Sequence, residues 1–183
     1  MDKFTITDDD EEKSSIEELD FIFSQAEKQL DESKSSGDLV LNRSTILLGF
    51  LVAGITSLTG YILSNTLFIK PTPFDKSCIG LCFYLGYIIL RLSLNIRGHK
   101  YYTLGSMPKD IFHRWYYYSY GQKEKRLKAI KIKEIKSYQK RIDDNNIIND
   151  TRWRVYNHCL NITSCTPIAM NIMYLFFHYC PIL

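Results

Sequence analysis

The stretch TRWRVYNHC, Thr151 to Cys159, holds the residues best suited to chemistry in this chain. It sets Arg152, Arg154 and His158 within one or two turns of a predicted helix. An arginine can stabilise the charge that builds on a phosphate during transfer, and a histidine can carry the proton. At ~3.6 residues per turn, Arg154 and His158 share a face, whereas Arg152 and His158 stand about 120° apart. Three roles fit the stretch: a ribonuclease centre, the polar mouth of a membrane passage, or a helix end anchored at a membrane face by Arg152, Trp153 and Arg154. No further nucleophile, metal-ligand cluster or glycine-rich phosphate loop stands out, and RGHKYYTLG departs from a nucleotide fingerprint. No metal and no cofactor is expected. The five cysteines, Cys78, Cys82, Cys159, Cys165 and Cys180, have no zinc spacing. They read as small apolar residues in a reducing or membrane setting.

The residues after this stretch narrow its surroundings. From Val155 to Leu183 there is no Asp, Glu, Lys or Arg, yet the run carries Asn157, His158, Asn161, Thr163, Ser164, Thr166, Asn171 and His178 around Pro167. It is too polar to face lipid and too uncharged for a water-facing helix. One reading makes it a wall of a wet, protein-lined passage, with Asn157, Asn161, Thr163, Thr166 and Asn171 as pore-lining candidates. The other buries it against membrane helices, with its Asn and His side chains hydrogen-bonded inside the protein.

The membrane helices themselves are predicted upstream. No charged residue lies between Arg43 and Lys70, a gap long enough for a hydrocarbon core of ~30 Å. The first segment is expected at about Thr45 to Leu67. Its Gly49, Gly54 and Gly60 suit close helix packing where no hydrophobic effect drives association. KPTPFDK is a turn. The second segment runs from Ser77 to Leu90, or to Ile96 if Arg91 is included, and Arg91 must then snorkel or face protein. Cationic residues are concentrated on one side, at Arg43, Arg91, Arg97, Lys100 and the basic middle, against Lys70 and Lys76 in the turn. The positive-inside rule then makes the N-terminus and the middle region cytoplasmic.

The cytoplasmic parts are oppositely charged. Residues 1–20 carry nine acidic groups against Lys3 and Lys13, and residues 122–141 carry nine basic groups against Glu124 and Glu134. The two can pair, within one chain or between neighbours, or each can be a solvated face. Residues 1–14 read as a disordered acidic tail, and the acidic start lacks the pattern of a cleavable signal peptide. Ser15 and Glu18 form a capping box, followed at helical spacing by Leu19, Ile22, Phe23, Ala26 and Leu30. DESKSSGD is expected to loosen the chain. The aromatic run IFHRWYYYSYG suits an interfacial belt or a stacking platform for single-stranded RNA. Residues 122–148 read as a helix with Leu127, Ile130, Ile135, Tyr138 and Ile142 on one side. Its lysines, among them Lys125, Lys128, Lys131 and Lys136, offer a surface for anionic lipid, RNA or an acidic partner. DDNNIIND is expected to break this helix, with Asp150 or Thr151 capping the next.

The fold class is therefore all-α. The expected protein has an acidic tail (1–14), an amphipathic cytoplasmic helix (15–42) and a transmembrane hairpin (43–97). A basic helical cytoplasmic region (98–183) comes next and ends in a polar and apolar C-terminal helix.

Arg152, five intervening residues and His158 fit the Arg-to-His spacing of HEPN ribonucleases, in which two copies converge on an RNA phosphate. Trp153 stands where that motif usually has a polar residue, which points away from an enzyme. Hairpin and degenerate motif together resemble the small accessory membrane proteins encoded beside the RNA-guided nuclease of type VI-B CRISPR systems, in the subtype with a divergent HEPN-like motif. The resemblance implies an antiviral accessory that enhances the CRISPR nuclease at the bacterial inner membrane. The expected partners are that nuclease and/or RNA, the lipid bilayer, and further copies of the chain, because a ring of copies can enclose a water path that one chain cannot. The expected function is a homo-oligomeric pore that depolarises the inner membrane. The rival expectations are a membrane-tethered HEPN-like ribonuclease and a membrane scaffold that recruits the nuclease.

Overall fold

The computed structural model describes residues 13–66, 71–97, 101–102, 116, 118 and 120–180. The Ser15 N–H donates to Glu18 Oε2 (2.7 Å) and the Glu18 N–H to Ser15 Oγ (3.1 Å), which is the expected capping box. From this cap helix α1 runs over Ile16–Thr66. A second box opens α2, Pro73–Ile96: the Thr72 N–H donates to Asp75 Oδ2 (2.8 Å), and the Asp75 N–H donates to Thr72 Oγ1 (3.3 Å). Pro73 sits in the first turn, where its missing N–H costs nothing. Helix α3 covers Lys123–Ser164 and α4 covers Thr166–Tyr179. Among the described residues there are four helices and no strand, so the chain is all-α. Thr72→Ala is expected to lower stability by about 1 kcal/mol through loss of the cap, read as a reduced midpoint in a denaturant titration of the solubilised protein.

Two expected interruptions are absent. Helix α1 passes unbroken through DESKSSGD, and α3 passes unbroken through DDNNIIND. The reason lies in which positions are buried. On α1 they are Leu19, Leu30, Ser33, Gly37, Val40, Ser44 and Leu51, with Phe23, Ala26 and Leu47 partly buried between them. On α3 they include Ile135, Tyr138, Ile142, Asn145, Asn149, Arg152 and Cys159. With half-buried Tyr156 between Arg152 and Cys159, both series step by three and four residues, the spacing of a coiled-coil seam. Packing along such a seam overrides the low helix propensity of Ser, Gly, Asn and Asp.

The chain divides into two compact units, Met1–Asp38 with His99–Asn149, and Leu39–Gly98 with Asp150–Leu183. In the first, Leu19 packs with Ile132 and Ile135, and Leu30 packs with Tyr138 and Ile142. Residue numbers rise together, so the two helices are parallel here. Leu127, expected inside, is exposed, and Ile132 takes the buried position instead. Beyond Ile142 the seam turns polar. Asn149 Nδ2 donates to the Ser33 carbonyl (2.7 Å). Asn145 takes both main-chain groups of Tyr102, accepting from its N–H (3.0 Å) and donating to its carbonyl (3.2 Å). Gly37 is required at this level, since an added Cβ would overlap the Tyr101 ring and come within 2.8 Å of Asn149 Oδ1.

In the second unit the core is Leu51, Leu81, Leu85, Ile88, Leu92 and Cys159. The Tyr84 hydroxyl donates to the Ile162 carbonyl (2.7 Å), and Asn95 Nδ2 donates to the Arg152 carbonyl (3.2 Å). One number rises as the other falls, so α2 and α3 are antiparallel. Gly80 lets α4 approach α2, because a Cβ there would meet Met173 Sδ at 3.0 Å. Two helices, α1 and α2, are long and apolar enough to cross a membrane. The end of α3 and α4, bent by 48° at Cys165, pass the same test when taken as one span. The apolar window of α1 is almost wholly uncovered, and nothing approaches its Gly49, Gly54 or Gly60 within 4 Å.

Candidate functional site

The stretch Thr151 to Cys159 lies within the second unit, on continuous α3 rather than on a newly capped helix. Arg152 falls on the seam and is only 3 % exposed. Its carbonyl is held from α2 by Asn95. The neighbouring Trp153 receives the Arg43 guanidinium over its ring at 5.5 Å, and meets Tyr156 edge-on at 5.7 Å. This fixes an Arg–Trp pair between α1 and α3 at the end where both become apolar, an arrangement suited to a membrane interface.

Arg154 and His158 lie on the other side. Both are exposed, as are Asn157 and Asn161. Burial thus separates Arg152 from His158, while Arg154 and His158 share an accessible face. Of the two arginines, Arg154 is the one placed to act with His158 on an outside group.

The polar candidates of the C-terminal run sort by what their side chains already bond. Thr163 Oγ1 donates to the Cys159 carbonyl (2.8 Å), and Ser164 Oγ donates to the Leu160 carbonyl (2.9 Å). The same back-bonding occupies Thr45, Thr56, Ser64 and Ser77. These hydroxyls present little more than methyl or methylene surface. Thr163, half-buried, is therefore a weak candidate for a wet wall. Thr166 is also half-buried, and its Oγ1 is enclosed with no hydrogen-bond partner. Asn and His do not satisfy themselves in this way: the amide has two N–H donors besides its acceptor, and the imidazole donor and acceptor point apart on a rigid ring, so one backbone carbonyl does not serve either. Asn157, His158, Asn161 and Asn171 thus remain as exposed polar groups on an otherwise apolar segment. Asn171 lines a groove of about 390 Å³ with Phe74, Pro167, Met170 and Tyr174.

In the first unit the lysines divide similarly. Lys125 and Lys136 are exposed, whereas Lys128 and Lys131 are half-buried. Lys131 Nζ pairs with Asp20 at 2.5 Å, so acidic head and basic middle do meet within one chain at this point. Lys133 lies over the Tyr116 ring at 5.3 Å, and Arg141 over Tyr138 at 5.4 Å. Within the aromatic run, Tyr116 is buried and stacks on Tyr120, while Tyr118 is exposed. Trp115, Tyr117 and Ser119 lie outside the described residues, as do residues 1–12 of the acidic tail. Among the described residues no three His, Cys, Asp or Glu side chains are grouped to hold a metal ion.

Sequence reasoning missed Asn95 and the polar seam of Ser33, Gly37, Asn145 and Asn149. The signal was the three–four spacing that runs from Leu19 to Leu51 without a change of phase, provided Ser and Gly are allowed as interior residues. Comparison with protein-family models, with curated proteins and with solved structures finds no match to this chain.

Proposed function

We propose that this protein is the repeating subunit of a homo-oligomeric membrane pore. In line with the resemblance carried by its layout and motif, the pore serves as accessory to an RNA-targeting CRISPR nuclease at the bacterial inner membrane. The observation that supports the pore is the exposed set Asn157, His158, Asn161 and Asn171 on a stretch otherwise apolar enough to span. In lipid these groups would be left without hydrogen-bond partners, so they call for water or for neighbouring protein. A ring of copies supplies both, by repeating one polar face around an axis. The open Gly49, Gly54 and Gly60 surface of α1 offers neighbours a close approach. Opening such a ring would collapse the membrane potential and halt phage replication.

The test is dye release from phosphatidylglycerol–phosphatidylcholine liposomes. Wild-type protein is expected to release dye, and the double variant Asn161→Leu, Asn171→Leu to release roughly tenfold less at equal insertion. Release unchanged by this variant would remove the polar run from the passage. If release needs the nuclease partner, it is added to both arms.

The shared exposed face of Arg154 and His158 favours one second reading, a membrane-tethered ribonuclease. It requires RNA cleavage that His158→Ala abolishes while dye release persists.

A further inference from the structure

We infer that Arg91 anchors a binding site for the headgroup phosphate of an anionic phospholipid, flanked by Arg97 and Arg154. This rests on the membrane reading of the chain and is independent of the pore. Arg91 is exposed on α2 between Leu90 and Leu94, themselves 59 % and 55 % exposed, and one turn from exposed Tyr87. The face is otherwise the lipid-facing side of a membrane helix, since the opposite side buries Leu85, Ile88 and Leu92. A charge on such a face is costly unless a counter-charge meets it.

The second unit provides little of one. Its described cations at this end are Arg43, Arg91, Arg97, Arg152 and Arg154. Its acidic residues are Asp75 and Asp150. Asp75 lies at the other end of α2 and is engaged by Thr72, while Asp150, one turn before Arg154, lies at the level of Arg97 rather than of Arg91. The antiparallel register set by Asn95 with Arg152, and by Tyr84 with Ile162, brings Arg91 level with Val155 and Tyr156. Arg154 is therefore within one turn of that level. Arg97 caps the same helix toward the polar side.

An anionic phospholipid fits every part of this arrangement. Its phosphate offers paired oxygens to the planar guanidinium fork, and its acyl chains cover Leu90, Leu94 and Phe83. The excess of positive charge favours an anionic over a zwitterionic headgroup.

The experiment uses the full chain in mild detergent, titrated with phosphatidylglycerol or phosphatidylcholine, with retained lipid counted by native mass spectrometry. Wild type is expected to retain phosphatidylglycerol about tenfold more than phosphatidylcholine. Arg91→Leu should lose about tenfold of that retention and Arg91→Lys less, because only arginine offers the bidentate fork. Lys34→Leu, at an exposed lysine of α1 in the first unit, should change nothing. Inorganic phosphate at millimolar concentration should not displace the lipid; displacement would mean a free-anion site and overturn the assignment. Equal retention by wild type and Arg91→Leu would overturn it as well. If Arg91→Leu alters oligomeric mass at unchanged retention, the arginine belongs to a contact between copies and the proposal is wrong. Flotation of each variant with phosphatidylcholine vesicles reports membrane insertion separately. Should Arg91→Leu not insert, Arg97→Gln with Arg154→Gln takes its place, with a several-fold loss expected and undiminished retention decisive against the site.

Discussion

Arg152→Ala is expected to cost about 3 kcal/mol of stability, enough to reduce the yield of folded protein sharply. Arg152 is buried on the seam of α3, with its carbonyl tied to Asn95. Truncation removes the packed stem of the side chain and strands whatever polar groups the guanidinium serves. Arg154→Ala and His158→Ala, on the exposed face, should stay within about 0.5 kcal/mol of wild type. Denaturant titration of the three solubilised variants, followed by circular dichroism, checks the contrast. The result matters for the motif, because a loss of activity on changing Arg152 would otherwise pass for catalysis. An Arg152→Ala protein as stable as wild type but inactive would reverse this reading and give Arg152 a direct role.

The second large effect is expected at Tyr138, which is 1 % exposed. Its ring meets Phe23 edge-on at 5.2 Å, packs with Leu30 and Ile142, and lies under the Arg141 guanidinium. Its hydroxyl donates to Glu27 Oε1 (3.2 Å). Tyr138→Ala should destabilise the first unit by about 3–5 kcal/mol, through lost burial and the cavity left behind. Tyr138→Phe removes only the hydroxyl and should cost about 1 kcal/mol. Hydrogen exchange of the amides of 16–38 and 123–149 is the suitable readout, since the loss is expected there. If the alanine variant protects these amides as wild type does, the parallel pairing of the two helices is not held by this contact.

The Ser15–Glu18 box and the charge-free gap after Arg43 are legible in the sequence because each is a local signal, carried by a few residue types at fixed spacing. DESKSSGD and DDNNIIND mislead for the same reason. Locally they favour turns, yet Ser33, Gly37, Asn145 and Asn149 are interior residues whose helical state is decided by partners far away along the chain. No window of neighbours contains that information. The Arg152–His158 motif is visible as a spacing, but spacing does not say which residue faces inward. Packing determines that: Arg152 is buried against its own unit, while His158 is exposed.

The back-bonded hydroxyls also bear on how the protein reaches its final place. With Thr45, Thr56 and Ser64 each donating its proton within its own turn, these three positions behave toward a bilayer much as aliphatic side chains would, which leaves Ser57 and Thr59 as exposed hydroxyls of the first apolar stretch. A helix this long and apolar, where it crosses a bilayer, can leave the insertion machinery early and without a partner. The stretch bearing Asn157, Asn161 and Asn171 has no such self-sufficiency and is poorly suited to solitary entry. The physics thus favours an order of biogenesis in which the amino-terminal span is settled first and the carboxyl-terminal one is admitted by company already present.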